Sequence, residues 1–332
     1  MPSDFPLFRA LVVLCVFMVV VGMGGSWITG HDASARKTTG GESKADSAPP
    51  AVAARPAAAA VARRDSGAGP LCRVDTAGIA LPPAVHESSG VAAGGGVLWT
   101  HNDSGDPVLV AVGMDGAQRG SVRVTGAAVQ DWEDVAEGPC PGGRCLYVAD
   151  IGDNQASRPR ITVYRVPMPA PGDAATRPAE AFHAAYPDGP QDAEALFVTG
   201  DGGVFVVSKG ETGPIALYRF PREMRAGAVS RLERVRELAP AQRKRSDRIT
   251  GAAASAAGWV ALRTLRSVDF YRAGDLASGA AAQPLRFDLA PLKEDQGEAV
   301  AFGEGGVVHL TSEGVKKKDP ATLARIVCNL PR

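Results

Sequence analysis

The chain has 332 residues, 36 basic against 36 acidic side chains, 45% hydrophobic residues and 39 glycines. A formal charge of zero without a clustered basic surface excludes a nucleic-acid footprint. Ordinary hydrophobicity over this length excludes a wholly disordered chain and leaves room for one large domain or two.

Residues 10–25 are almost wholly apolar, with Arg9 ahead of them. Such a run enters a membrane, as a signal peptide or as an anchor of the ~20 residues a span requires. Ala33-Ser34-Ala35 supplies small residues for cleavage, and Cys15 lies inside the run rather than at its end. Cleaved signal and retained anchor both stay open for residues 1–28. Either places the rest of the chain outside the cytoplasm, extracellular or in the cell envelope. Residues 29–69 are rich in Ala, Pro, Ser and Gly, with Pro49-Pro50 and an alanine run at 57–60. They lack the apolar surface that offsets ordering entropy, so a disordered tether is expected there. The folded domain is placed at residues 70–332.

That domain repeats itself with a period of roughly 50 residues, the range of propellers and solenoids. Each repeat opens on a polar or acidic cluster that runs into an apolar strand. The openings are His86-Glu87-Ser88-Ser89-Gly90, Asp131-Trp132-Glu133-Asp134, Asp192-Ala193-Glu194-Ala195, Arg248-Ile249-Thr250-Gly251 and Gln296-Gly297-Glu298-Ala299. Glycine-rich turns follow. Second strands are then predicted at Val97-Leu98-Trp99-Thr100, Leu146-Tyr147-Val148-Ala149, Val204-Phe205-Val206-Val207, Trp259-Val260-Ala261-Leu262 and Val307-Val308-His309-Leu310. Short runs rich in β-branched and aromatic residues, broken by glycine, argue for sheet. Four strands per repeat set radially give an all-β propeller, which protects its strand edges. We expect about five four-stranded blades. A sixth is expected only if a degenerate blade hides in the long connection from Met168 to Tyr186. The last repeat lacks a fourth strand, and the segment from Leu71 to Asp75 can supply it, closing the ring with strands from both chain ends.

In a blade the first strand lines the central channel. Acidic openings then gather Glu87, Glu133, Glu194 and Glu298 at one channel mouth, with Asp131 and Asp192 beside them. The second strands run back to the same mouth and bring Asp103, Asp150, Asp153, Asn154, Lys209, Arg263 and Glu313. Thr250 stands where other repeats carry Glu, so the ring is asymmetric. Crowded carboxylates raise one another's pKa, and a bound cation relieves the repulsion. Hard oxygen ligands favour Ca²⁺, with Glu133, Asp150, Glu194 and Glu298 as candidate ligands. Lys209 and Arg263 can instead neutralise the acids or hold an anion. The same acids also fit a plain structural role, accepting backbone N–H groups in tight turns.

Leu98-Trp99-Thr100-His101-Asn102-Asp103-Ser104-Gly105-Asp106, Asp131-Trp132-Glu133-Asp134 and Tyr147-Val148-Ala149-Asp150-Ile151-Gly152-Asp153-Asn154, together with Asp192-Ala193-Glu194-Ala195-Leu196, resemble a group of secreted bacterial β-propeller proteins with no assigned function. The resemblance runs over roughly residues 72–328. More distantly, the acidic blade openings look like those of phytase-like and TolB-like propellers. Phytase-type propellers hold calcium with carboxylates to neutralise a phosphate substrate. Their full metal motifs have no match here, so that activity does not carry over.

No Gly-x-Ser-x-Gly elbow, His-Glu-x-x-His or Walker loop occurs in the sequence, and His31, His86, His101, His183 and His309 lack metal spacing. The leading expectation is a ligand-binding or scaffolding module with a polar, Ca²⁺-assisted site at the channel mouth. The rival is a metal-dependent hydrolase of phosphate or carboxylic esters. The partner is expected to be a small molecule, a polysaccharide or an envelope protein, and the chain monomeric. Membrane contact is expected only through residues 1–28. Outside the cytoplasm the four cysteines beyond the leader should pair. Cys140 and Cys145 flank a tight-turn sequence, and Cys72 and Cys328 meet if the chain ends share a blade.

Overall fold

A computed structural model describes residues 70–278, 283–314 and 319–332, all within the unit Arg64–Arg332. The apolar run at 10–25, the tether at 29–69 and the lysines at 316–318 lie outside the described residues. No helix among the described residues is long and apolar enough to cross a membrane.

The described chain opens on β1 (Cys72–Ala80). The first blade follows as β2 (Ser88–Gly94), β3 (Val97–Asn102), β4 (Val108–Val112) and β5 (Gln118–Arg123). The second holds β6 (Trp132–Cys140), β7 (Gly143–Asp150), β8 (Ile161–Pro167) and β9 (Glu180–Ala185). The third is β10 (Ala193–Val198), β11 (Val204–Ser208) and β12 (Ile215–Arg219), then, past β13 (Val229–Arg231), β14 (Glu233–Ala239). The fourth comprises β15 (Ile249–Ala254), β16 (Trp259–Thr264), β17 (Ser267–Arg272) and β18 (Leu285–Asp288). The fifth is β19 (Gly297–Phe302), β20 (Val307–Ser312), β21 (Thr322–Cys328) and the waiting β1. The inner strands β2, β6, β10, β15 and β19 neighbour one another in that order and close back on β2.

The protein is therefore a five-bladed propeller, and the expectation of a possible sixth blade falls. The long connection after Met168 contains β9, the outer strand of the second blade. That blade gains a fifth strand because β13 pairs with β9 in parallel. The misreading has a physical cause. β9 reads Glu180-Ala181-Phe182-His183-Ala184-Ala185, a short alternating strand whose signal is weak beside the all-buried second strands.

Apolar residues explain the radial packing. The second strands β7, β11 and β16 bury long unbroken apolar runs because both faces of each blade meet another blade. The buried apolar residues form five clusters, one at each junction between neighbouring blades. Leu196, Val206 and Tyr218 of the third blade, for example, pack on Tyr147, Val163 and Phe182 of the second.

Closure follows from the chain ends. β1 pairs antiparallel with β21, with Cys72 directly opposite Cys328. The two form a disulfide with Cα atoms 4.0 Å apart. Cys140 and Cys145 form the second disulfide, Cα atoms 5.8 Å apart, across the β6–β7 turn. Both pairings agree with the sequence expectation.

Candidate functional site

Each blade carries the same irregularity in its inner strand. Ser88 pairs with Asn102 and Gly90 with His101, so β2 uses one residue more than β3 over that step. The same slip occurs between Trp132 and Asp134, Ala193 and Ala195, Ile249 and Gly251, and Gly297 and Ala299. The extra residues are Ser89, Glu133, Glu194, Thr250 and Glu298. A β-bulge re-aims the unpaired residue, and here all five line one cavity of about 200 Å³ at a channel mouth. Glu133, Glu194 and Glu298 are each 8% exposed and Thr250 6%.

Register sorts the other candidates into layers. Glu87, Asp131, Asp192, Arg248 and Gln296 hold equivalent positions two residues before the bulge. Asp131, Arg248 and Gln296 line the cavity. Glu87 stays at the rim, where Ser104 Oγ donates to it over 3.3 Å. Ser89, not Glu87, is thus the first blade's counterpart of Glu133. Asp103, Lys209, Leu265 and Glu313 follow the second strands and also line the cavity, joined by Asn154 and Arg245.

Asp150, Asp153, Asp192 and Arg263 are not in that lining. Asp150 accepts the N–H groups of Gln130 and Asp131 at 3.3 and 3.1 Å and pairs with Arg158 at 2.9 Å. Asp153 accepts the N–H of Arg158 at 2.6 Å, and Asp192 accepts that of Asp153 at 2.9 Å. These three acids hold the loop after β7 in place. Arg263 sits two residues before Leu265 and is fully buried. Its guanidinium donates to the carbonyls of Ala299 and Thr311 at 2.5 and 2.9 Å and pairs with Glu294, tying the fourth blade to the fifth.

One buried acid outside the cavity lining ties three blades together. Asp134 is fully buried and follows the bulged Glu133. Its Oδ2 accepts the N–H of Leu196 at 2.8 Å and of Ala252 at 3.2 Å, from the third and fourth blades. Its Oδ1 accepts the N–H of Val135 at 2.8 Å. Burial pushes its pKa up, and these donors pull against that push. Sequence reasoning missed its role. It sits in the Asp131-Trp132-Glu133-Asp134 run, but only the bulge separates its direction from that of Glu133.

The electrostatics of the cavity are those of acids deprived of water. Burial, followed by the charge of Glu194, holds Glu133 well above the ordinary carboxyl range. Burial, with Glu194 and Glu313 nearby, does the same to Glu298. Burial raises Glu313 to about 7, with Asp103 and Glu87 adding to it, and raises Asp103 to about 6, with Glu87 adding to it. Burial and the neighbouring Asp192 raise Asp131 as well. Burial takes Glu194 to about 7 against the opposing pull of Lys209. Lys209 Nζ lies against Glu194, 3.5 Å from Asp192 and 3.3 Å from Asn154 Oδ1. Burial works against its charge, but these carboxylates outweigh burial and raise its pKa.

Lys209 also bears on Ca²⁺. Among the described residues no group of three or more His, Cys, Asp or Glu side chains is arranged to hold a metal ion. Of the proposed ligands Glu133, Asp150, Glu194 and Glu298, Asp150 is turned to Arg158, and Glu194 already meets a built-in cation. Ser89, Arg248, Leu265 and Gln296 joined the site without being named as site residues, and Arg245, in a basic run expected to be a solvated loop tip, lines it as well. Aligning the repeats on the bulge would have found Ser89, whereas Arg245 comes from a connecting turn.

A larger hollow of about 1190 Å³ opens among the turns between first and second strands, lined by residues such as Gly95, Ala256 and Gly305. Three of its arginines are already engaged. Arg144 pairs with Glu137, Arg272 stacks 4.0 Å over Trp259, and Arg325 pairs with Asp75. The perturbed carboxyls lie at the other mouth, and so does the candidate site.

No protein-family model matches the chain. No curated protein matches it either. Solved structures similar to it are β-propeller proteins. One is the PQQ-bound aldose sugar dehydrogenase of Streptomyces coelicolor, 14% identical, covering 79% of this chain and 100% of that one, with a TM-score of 0.47. A calcium-binding regucalcin of Agrobacterium tumefaciens is 12% identical over 77% of this chain and 96% of that one, TM-score 0.41. A gluconolactonase of Xanthomonas campestris is 13% identical over 78% and 95%, TM-score 0.40. Similarity at this level carries no argument about activity.

Proposed function

We propose that the protein is a ligand-binding propeller that works outside the cytoplasm and takes a small, cation-bearing polar molecule into the bulge-lined cavity. The observation that carries this reading is the excess of buried and half-buried acid over fixed cation there. Asp103, Asp131, Glu133, Glu194, Glu298 and Glu313 face Lys209, Arg245 and Arg248. Glu133 and Glu298, held well above the ordinary range, keep their protons at neutral pH, Glu194 and Glu313, raised to about 7, share theirs, and an incoming cation takes the place of those protons. A cavity of about 200 Å³ is below the size of drug-like pockets and suits a molecule of few atoms. Two disulfides support an oxidising compartment. Ca²⁺ is the finer form of the reading, a hard cation that carboxylate oxygens can share.

Calorimetric titration of the full chain with a diamine and with Ca²⁺ tests it, beside the E133Q/E194Q double variant. Glutamine keeps the shape and removes the charge, so binding should weaken at least ~10-fold, about 1.4 kcal/mol. Thermal melts should show the fold intact, because repulsion is relieved. Unchanged binding with a markedly lower Tm would leave the glutamates a structural role only. Metal-dependent turnover of chromogenic phosphate or carboxylate esters would replace binding by hydrolysis.

A further inference from the structure

The cavity is not acidic all round. Blade four breaks the pattern, with Thr250 at the bulge, Arg248 two residues before it and Leu265 after its second strand. Arg245 enters from the single 3-10 turn, Arg245–Asp247, that leads into the same blade. Thr250 is nine-tenths buried, lines the cavity, and its Oγ1 has no hydrogen-bond partner among the described residues. Arg248 spends one nitrogen on Glu211 at 2.7 Å, while its buried Nε has no partner. Arg245 makes no ion pair among the described residues.

Opposite blade four in a five-membered ring lies the seam between blades one and two. There the carbonyl of Asp103 accepts the N–H of Trp132 at 2.9 Å, joining the two blades. Asp103, Asp131 and Glu133 face the cavity at that seam. Asp103 Oδ1 is buried and also lacks a partner. Unsatisfied polar atoms thus stand at both ends of the cavity, a donor set at blade four and an acceptor set at the seam. A buried polar atom without a partner costs free energy that a ligand of matching polarity recovers.

We propose that the cavity selects a small zwitterion, its anionic group against Arg245, Arg248 and Thr250 and its ammonium against Asp103, Asp131 and Glu133. This rests on the reading of the cavity as a ligand site and adds its direction and chemical class. A guanidinium presents paired N–H donors that match a carboxylate, and the Thr250 hydroxyl adds a third donor beside it. A diamine satisfies one end and repels the other, and a simple carboxylate does the reverse.

The test is calorimetric titration of the full chain with 4-aminobutanoate, putrescine and butanoate, which share a four-carbon chain and differ only in their end groups. 4-Aminobutanoate should bind at least ~10-fold more tightly than either single-sign probe, about 1.4 kcal/mol. R245Q/R248Q should abolish that preference while keeping or improving putrescine binding. T250V, which removes one hydroxyl, should weaken 4-aminobutanoate alone and guards against misfolding of the arginine variant. Putrescine binding as tightly as 4-aminobutanoate would overturn the zwitterion and leave the cation site standing. Loss of putrescine and 4-aminobutanoate together in T250V would overturn it also. No binding of any probe would overturn both readings.

Discussion

Lys209 and Glu194 lie against each other from neighbouring strands of one blade, the lysine just past β11 and the glutamate in the bulge of β10. The pair places a fixed cation where a metal ion would otherwise meet the glutamates. K209M should therefore open the ring to a divalent cation, with Ca²⁺ affinity at least ~10-fold higher than in the parent by titration calorimetry. An unchanged Ca²⁺ affinity would show that the carboxylates do not act on a common centre.

Stability without ligand should fall as pH rises from about 6.5 to 8.5. Burial raises Glu194 and Glu313 to about 7 and Asp103 to about 6. A raised carboxyl binds its proton more tightly in the folded state. Its stabilising contribution is complete below the unfolded value near 4 and is lost as pH rises through the folded one. Burial lowers His101 and His309 to about 4, which acts the other way, but that gain is already halved in slope at the unfolded value near 6.5 and ends about one pH unit above it. Thermal melts across the window should show Tm dropping by a few degrees. E194Q should flatten the slope, and a Tm that rises with pH would contradict the assignment.

Asp134 makes a separate prediction, because it joins three blades and touches no cavity wall. D134N keeps the size but turns one acceptor into a donor facing backbone N–H groups. It should cost about 3 kcal/mol in denaturant unfolding. E133Q, one residue away, should not. Equal losses from the two would mean that the bulge does not separate their roles.

The ring tolerates little added volume where inner strands approach. A Cβ on Gly251 would stand 2.6 Å from the carbonyl oxygen of Glu298 in the next blade. G251A should destabilise by about 1–3 kcal/mol through a backbone shift between the fourth and fifth blades. It should also disturb ligand binding, since Thr250 and Glu298 flank the contact. A neutral effect on both would show slack in the ring.

The Cys72–Cys328 bridge spans a sequence separation of 256 residues. In the chain-entropy account its loss in C72S/C328S should cost about 5.5 kcal/mol, against about 2 kcal/mol for C140S/C145S, which opens only a turn. Denaturant unfolding of both variants measures the ratio, and equal costs would contradict closure by the chain ends.

Much of this was legible in the sequence, and particular residues show how far. Second strands such as Val204-Phe205-Val206-Val207 declare themselves through local composition, as did the repeat, the blade count of about five and both disulfides. The acidic character of one mouth was equally readable, because every repeat opening carries its polar cluster beside an inner strand. What the sequence could not rank was Glu87 against Ser89, or Arg263 against Leu265. In a regular strand, residues two apart share a face, so local pattern gives both members of each pair one direction. The bulge and the register of the second strand break that equivalence, and both are set by long-range pairing between strands. Arg245 entered the site from a connecting turn, and Asp134 found donors in two other blades. Neither placement has a local signature, because each is fixed by the closing of the five-bladed ring.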